Sequence, residues 1–412
     1  MPTYRGGGRG AAAGLLVAVV LTLGACTPRP DTPSANLPPG SPRPGTPATG
    51  PVPTKPQVTP RTLTIVGSGD ILLHPQLWDQ ARTDARAKGQ DGYDFRPLFA
   101  DVRDVVLSAD LAICHLETPV APTTGPFSGF PVFSVPPQVV PALDGLGYDS
   151  CSTASNHTID MGEAGVVRTL TALDAAGIRH AGSYRSAAEH NTVTVLDVGG
   201  IKVAHLSYTF SFNGLRRPAG KSWQANLIDR EAILAEARRA RAAGSAIVVV
   251  SLHFGTEYAH APNAQQIALA RQLLASPHVD LILGHHAHVV QPFEKIGDKW
   301  VAYGLGNEVA HHGQPSDHTR EGVLSRFTFT EVAPRMGGAA GRWRVTRAEA
   351  IPVWMDLAPN DRLIHIADAL ADPATPASER SVLRAAWDRI QRYLTSRGAA
   401  ADGLAIVAGP SI

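Results

Sequence analysis

Five short apolar runs in this chain each end on a side chain able to bind a metal or move a proton. Leu63–Val66 leads to Gly67-Ser68-Gly69-Asp70, Leu111–Cys114 to Glu117, and Ser150–Ala154 to Asn156-His157. Ile247–Leu252 leads to His253, and Val279–Leu283 to Gly284-His285-His286-Ala287-His288. Between them lie helix-period stretches, among them Glu163–Ala176, Arg230–Ala242 and Ala264–Ala275, with Gly177 as a stop for the first. Strands alternating with helices pair in parallel through right-handed crossovers, which gathers their carboxyl ends on one edge of a sheet. This predicts an α/β fold in which residues more than two hundred positions apart meet.

Other stretches depart from that alternation. Thr192–Thr209 reads as two β runs turning at Gly199-Gly200, a hairpin. Trp300–Tyr303, Val323–Thr330 and Trp343–Ile351 add strands, so a second, partly antiparallel sheet is expected. Residues 377–396 form an amphipathic helix with Val382, Leu383, Ala386, Ile390 and Leu394 on one side.

The N-terminus sets the compartment. Arg5 and Arg9 precede the apolar run Ala11–Leu23, which is too short to span a bilayer, and Leu23-Gly24-Ala25-Cys26 follows. This is the pattern of a secretory signal with a lipobox, and it predicts cleavage before Cys26 and lipidation of its sulfur. Residues 27–60 are dominated by Pro, Thr, Ser, Ala and Gly, a composition that buries nothing and favours an extended stalk. The expected organisation is a signal over 1–26, a stalk over 27–60, a main domain over 61–330 and an extension over 331–412. The chain is then extracytoplasmic and held at a membrane by lipid. Formal net charge is +1, and loss of Arg5 and Arg9 leaves 35 basic against 36 acidic residues, which argues against nucleic acid as a partner. Cys114 and Cys151 sit in apolar strand-like runs and are expected as two buried thiols.

The converging groups are carboxylate, amide and imidazole, the donors that suit Mn, Zn or Fe. On extended backbone, side chains at i and i+2 share a face, so His286 and His288 pair and His285 faces away. Pairing His285 with His288 instead needs a bent loop.

The motifs Gly69-Asp70-Ile71-Leu72, His115-Leu116-Glu117-Thr118, Asn156-His157-Thr158-Ile159-Asp160-Met161-Gly162, His253-Phe254-Gly255, Gly284-His285-His286-Ala287-His288 and Gly304-Leu305-Gly306-Asn307 occur in one order. Through them, residues from about 63 to 312 resemble the CapA family, named for a poly-γ-glutamate capsule biosynthesis protein, in the calcineurin-like metallophosphatase superfamily. The resemblance implies a four-layer αββα sandwich with two mixed sheets and one or two divalent ions at its rim. It implies Asp70, Glu117, Asn156, His253, His286 and His288 as ligands and His157 as the catalytic imidazole. Asp160 is read beside it as the group that orients His157. The sequence departs from the superfamily at two points. Asp70 is followed by Ile71, Leu72, Leu73 and His74 rather than by a histidine two positions on, and Glu117 stands where an aspartate bridges the metals.

The function expected from this is metal-dependent hydrolysis of an anionic capsule or cell-wall polymer such as poly-γ-glutamate, beside a membrane polymer synthase. Arg216, Arg217 and Lys221, in the loop from Ser211, are expected to contact the polymer. The alternative is a non-catalytic factor that binds, exports or attaches that polymer.

Overall fold

In the computed structural model, residues 60–312, 317–332 and 342–408 are described. The expected signal sequence, Cys26 and nearly all of the expected stalk lie outside the described residues.

The chain starts one sheet, builds a second, and returns to finish the first. It begins with β1 (Thr62–Leu72), β2 (Leu111–Leu116), β3 (Ser150–Ser152) and β4 (Arg179–Ala181), all parallel neighbours. It then makes β5 (Val195–Val198), β6 (Ile201–Thr209), β7 (Ile247–His253), β8 (Leu281–His285), β9 (Phe293–Ile296) and β10 (Lys299–Ala302). These six form the second sheet in the order β5-β6-β7-β8-β10-β9. It returns with β11 (Asn307–Ala310), β12 (Glu321–Val332), β13 (Arg342–Asp356), β14 (Arg362–His365) and β15 (Leu404–Ile406), completing a nine-stranded first sheet. Both sheets mix parallel and antiparallel pairs. The expected hairpin is β5–β6, paired antiparallel around Gly199-Gly200.

Strand alternation shows the layering. On β2, Leu111 and Ile113 join one core with Val249 of β7 and Leu283 of β8, so the two sheets pack face to face. Ala112 and Cys114 point the other way. They meet helices α1 (Pro75–Ala87), α2 (Arg103–Leu107), α3 (Val139–Leu146) and α4 (Gly162–Ala175). After the short α5 (Ala187–His190), α6 (Arg230–Ala242) and α7 (Ala264–Leu274) cover Val248 and Val250 on the outer face of the second sheet. The result is four layers, αββα. Local signals set the helix ends. Asn263 and Gln266 form a reciprocal capping box on α7, and Gly177, at φ +77°, follows α4 where a left-handed residue ends a helix.

The residues after 330 complete the first sheet and close the inter-sheet core. After α8 (Ile366–Ala371), α9 (Ala377–Thr395) buries Leu383, Ala386, Trp387, Ile390 and Leu394 in that core. Val382 is not part of this stripe and is 44% exposed. It precedes Leu383 by one residue, about 100° around the helix. Among the described residues no helix is long and apolar enough to cross a membrane.

Cys114 and Cys151 form a disulfide, not two thiols. Their strands are parallel neighbours with Cys114 directly opposite Cys151, and their Cα atoms are 4.5 Å apart. Composition gave no access to this register.

Candidate metal centre

The site continues the inter-sheet core along the same strand faces. On β2 the inward series is Leu111, Ile113, His115, Glu117. On β7 it is Ile247, Val249, Ser251, His253, and on β8 it is Leu281, Leu283, His285. Period-2 alternation carries each face from apolar to polar at its carboxyl end. The polar rim stays buried: Asp70, His115 and His253 are each 0% exposed.

Asp70 leaves β1 at a break in register. The first half of β1 pairs with β12 and its last residues pair with β11, Asp70 opposite Asn307. Gly69 makes this possible, because a Cβ there would lie 2.4 Å from the Gly306 carbonyl oxygen. Asp70 Oδ1 stands 3.2 Å from His285 Nδ1, and Oδ2 stands 3.2 Å from His288 Nδ1 and accepts the His286 backbone N–H at 3.1 Å. Burial pushes the Asp70 carboxyl up, but the imidazoles of His285 and His288 outweigh it and hold it well below the usual range.

A polar chain crosses from sheet to sheet. His115 joins Ser152 Oγ at 2.7 Å and His253 Nδ1 at 2.9 Å, and His253 Nε2 lies 3.0 Å from Asn156 Oδ1. Two ligands of one metal, at about 2.1 Å and a right angle, stand about 3 Å apart, so this last spacing suits a shared ion. Burial, reinforced by neighbouring imidazoles, pulls His115, His253 and His286 down, His286 to about 3. They are therefore neutral, the form that ligates.

Glu117 gives the sharpest test of fit. It is 1% exposed, and neither carboxylate oxygen has a hydrogen-bond partner. Burial raises it to about 7. His288 Nε2 is 3.8 Å and His253 Nε2 4.0 Å from Glu117 Oε1. Burial lowers His288, but Glu117 and Asp70 overcome this and hold it near 10. Two buried carboxylates with one imidazolium leave an excess of negative charge, which costs several kcal/mol unless a cation meets it. Asp70 Oδ1 and both ring nitrogens of His285 also lack hydrogen-bond partners. Among the described residues, three groups can hold an ion: Asp70, His115 and His285; Asp70, Glu117 and His288; and Glu257, His286 and His288. Within each group the donor atoms lie within 4.8 Å of one another. Asp70 and His288 are each shared by two groups, so the donor set fits divalent metal and has the form of a bridged centre.

The histidine loop differs from the extended segment expected. His286 and His288 have φ of +90° and +54°, so the loop is bent, and His285 turns inward rather than away. The His286 ring packs on His253 and Phe210, with centroids 4.7 and 4.4 Å away. His74 borders the cluster rather than joining a donor group. Its Nδ1 accepts the His311 backbone N–H at 3.1 Å, and burial lowers it to about 4.

His157 sits on the loop after β3. Its Nδ1 is 2.7 Å from Asp160 Oδ2, which also accepts the Phe133 N–H at 2.8 Å. The Phe133 ring meets the imidazole edge-on at 4.7 Å. Carboxylate and ring together fix the imidazole plane and place the proton on Nδ1.

Of the three expected polymer contacts, Arg217 and Lys221 are engaged within the chain. Arg217 donates to the Ser222 and Ala225 carbonyls and lies over Phe212, and Lys221 pairs with Glu163. Arg216 is exposed. Sequence reasoning gave no role to His115 or Asn307. His115 was detectable, two positions before Glu117 on an alternating strand. Asn307, whose Oδ1 is 3.0 Å from His288 Nδ1, depends on the pairing of β11 with β1.

Comparison with known proteins follows the same lines. The chain is 28% identical over 195 residues to the capsule biosynthesis protein CapA of Bacillus anthracis, covering 46% of each chain. It is 29% identical over 211 residues to the PGA biosynthesis protein CapA of Bacillus subtilis, covering 51% of this chain and 53% of that one. It thus spans about half the length of the curated relatives it matches. Similar solved structures include the NAD nucleotidase of Haemophilus influenzae, 11% identical with a TM-score of 0.43 over 86% of this chain and 65% of that one. Another is the calcineurin-like phosphoesterase YfkN of Bacillus subtilis, 11% identical with a TM-score of 0.39 over 81% of this chain and 98% of that one. The family model described as bacterial capsule synthesis protein PGA_cap matches residues 64–312, more than half of the sequence. The chain belongs to the bacterial capsule synthesis protein PGA_cap family.

Proposed function

We propose that this protein is a membrane-anchored, divalent-metal-dependent hydrolase of an anionic capsule or cell-wall polymer of the poly-γ-glutamate kind. The observation that carries the reading is Glu117, a buried carboxylate without a hydrogen bond, beside Asp70 and the imidazoles of His253 and His288. The names of the Bacillus relatives, which speak of capsule and PGA biosynthesis, point to the polymer. Lipidation at Cys26 would tether the chain outside the cytoplasm, with residues 27–60 as a spacer, beside a membrane polymer synthase.

Asp70, Glu117, Asn156, His253, His286 and His288, joined by His115 and His285, would hold one or two ions of Mn, Zn or Fe. Such an ion supplies Lewis-acid polarisation and an acidified water. The rest falls to the chain's own groups. His157, with Nδ1–H held by Asp160, presents Nε2 to the leaving group; as the imidazolium it would give up the Nε2 proton there and be left neutral with Nδ1–H still on Asp160. The inter-sheet walls exclude water from the donors, which strengthens every charge interaction among them.

The test is elemental analysis of the full chain after loading with Mn, Zn or Fe, alongside turnover of a soluble phosphodiester and of γ-glutamyl peptides. Wild type should bind metal and turn over one substrate class. Asn156→Ala should lose metal, and His157→Ala should keep metal and lose turnover by about 100-fold or more. A wild-type chain that takes up no metal, or a His157→Ala variant at full rate, refutes the reading.

A further inference from the structure

A second concave site lies at the opposite end of the two sheets. It is a groove of about 800 Å³ at the amino ends of the parallel strands. Six basic residues line it: Arg61 before β1, Lys202 on β6, Arg241 on α6, Lys299 at the start of β10, and Arg342 and Arg344 at the start of β13. Three acids face them, Asp280, Asp298 and Glu331, so the groove has a surplus of three positive charges. The whole chain carries a formal +1. With +3 in the groove, the rest of the chain carries a formal −2, so the surplus is not the average property of the sequence.

The pairing pattern shows where the surplus sits. Arg61 is spent on Glu331 at 2.8 Å, and Arg241 on Asp280. Asp298 is shared between Arg342 at 3.2 Å and Arg344 at 3.3 Å. Lys299 donates to the Ser276 and Val279 carbonyls, which do not neutralise it. Lys202 has no acidic partner among the described residues. His278, beside the groove, is pulled down by burial and then by Arg241, Arg238 and Lys299, as a positive field requires.

The groove is remote from the metal centre. β7 runs for seven residues from Ile247, next to Ala246 of the groove, to His253 of the metal centre. At about 3.3 Å per residue that is roughly 20 Å. A small substrate at the metal centre does not reach the groove, whereas an extended polymer has the length to occupy it independently.

We infer that this groove binds a stretch of linear polyanion, carboxylate or phosphate, as a holding site separate from the metal centre. The inference rests on the polymer reading proposed above. Its concave form, between strand starts of both sheets, favours a chain over a membrane surface, because a plane of lipid headgroups does not enter a recess.

The experiment compares the full chain with a Lys202→Ser, Arg342→Ser, Arg344→Ser triple variant. It uses fluorescence anisotropy with labelled poly-γ-glutamate, with polyphosphate, and sedimentation with phosphatidylglycerol vesicles. Wild type should bind one of the two polymers, more weakly as salt rises. The triple variant should lose about tenfold in affinity with its metal content unchanged. A loss confined to polyphosphate supports the groove and assigns phosphate. Asn156→Ala, which tests the metal centre, should lose metal and keep polymer binding, so the two readings fail separately. Equal polymer binding by wild type and triple variant, or a loss seen only with vesicles, overturns the inference.

Discussion

Glu308 allows the electrostatics of this core to be measured one group at a time. It lies on β11, is 0% exposed, and its Oε1 accepts the Tyr148 hydroxyl at 2.6 Å while Oε2 has no partner. Burial raises its carboxyl from 4.5 to about 7. An acid raised in this way holds its proton more tightly folded than unfolded. It therefore costs nothing well below 4.5, and its ionisation opposes folding increasingly as pH climbs toward 7. The gap converts to about 3 kcal/mol at about 1.4 kcal/mol per pH unit. Glu308→Gln keeps the volume and an acceptor for Tyr148 but cannot ionise. Urea denaturation from pH 4 to 8 should show the variant gaining on wild type by under about 1 kcal/mol at pH 5 and by about 3 kcal/mol at pH 8. Glu117 and Glu321, also near 7, titrate in both proteins and cancel in the difference. A difference that stays flat across that range refutes the reasoning.

Two further substitutions test the frame of the site. Gly284→Ala would set a methyl 2.0 Å from the Tyr303 carbonyl oxygen, so β8 or β10 must move. We expect a loss of about 3 kcal/mol, at the upper end for overpacking, and reduced metal content because His285–His288 follow directly; unchanged melting and metal content contradict it. Replacing Cys114 and Cys151 together by Ser opens a crosslink between residues 37 positions apart and should cost about 4 kcal/mol by loop-closure entropy. Denaturation with and without reductant checks this, since reductant should weaken wild type and leave the double variant unaffected.

What the sequence disclosed and what it withheld divide along a physical line. Each strand that feeds the site has a local signature, an apolar run ending on a polar group, so Asp70, Glu117, Asn156, His157 and His253 were legible one at a time. Long-range register has no such signature. The Cys114–Cys151 bridge, the approach of Asn307 to His288 and the split pairing of β1 all depend on which strand lies beside which. The histidine loop misled for a local reason. An extended reading puts His286 and His288 on one face, whereas β8 continues through His285, in phase with Leu281 and Leu283, before the backbone bends at His286. Nor does charge on a sequence show whether a partner such as Glu163 already pairs with Lys221.

The late return of the chain to its first sheet explains why the site can be both buried and charged. β11 pairs with the end of β1 and places Asn307 opposite Asp70, while Val290 and Leu305 bridge the segments on either side of the second sheet's last strands. The Asp70 backbone N–H therefore donates to the Gly306 carbonyl, and the Asn307 side-chain amide donates to the Thr319 carbonyl while its Oδ1 stands beside His288. Glu117 and one oxygen of Asp70 stay free of hydrogen bonds between these fixed groups. Those atoms are held in place without being neutralised. A fold that spends this much backbone on positioning unpaired oxygens creates affinity for a cation before any cation arrives, and each distortion of β8 or β11 should weaken metal binding before it unfolds the sheets.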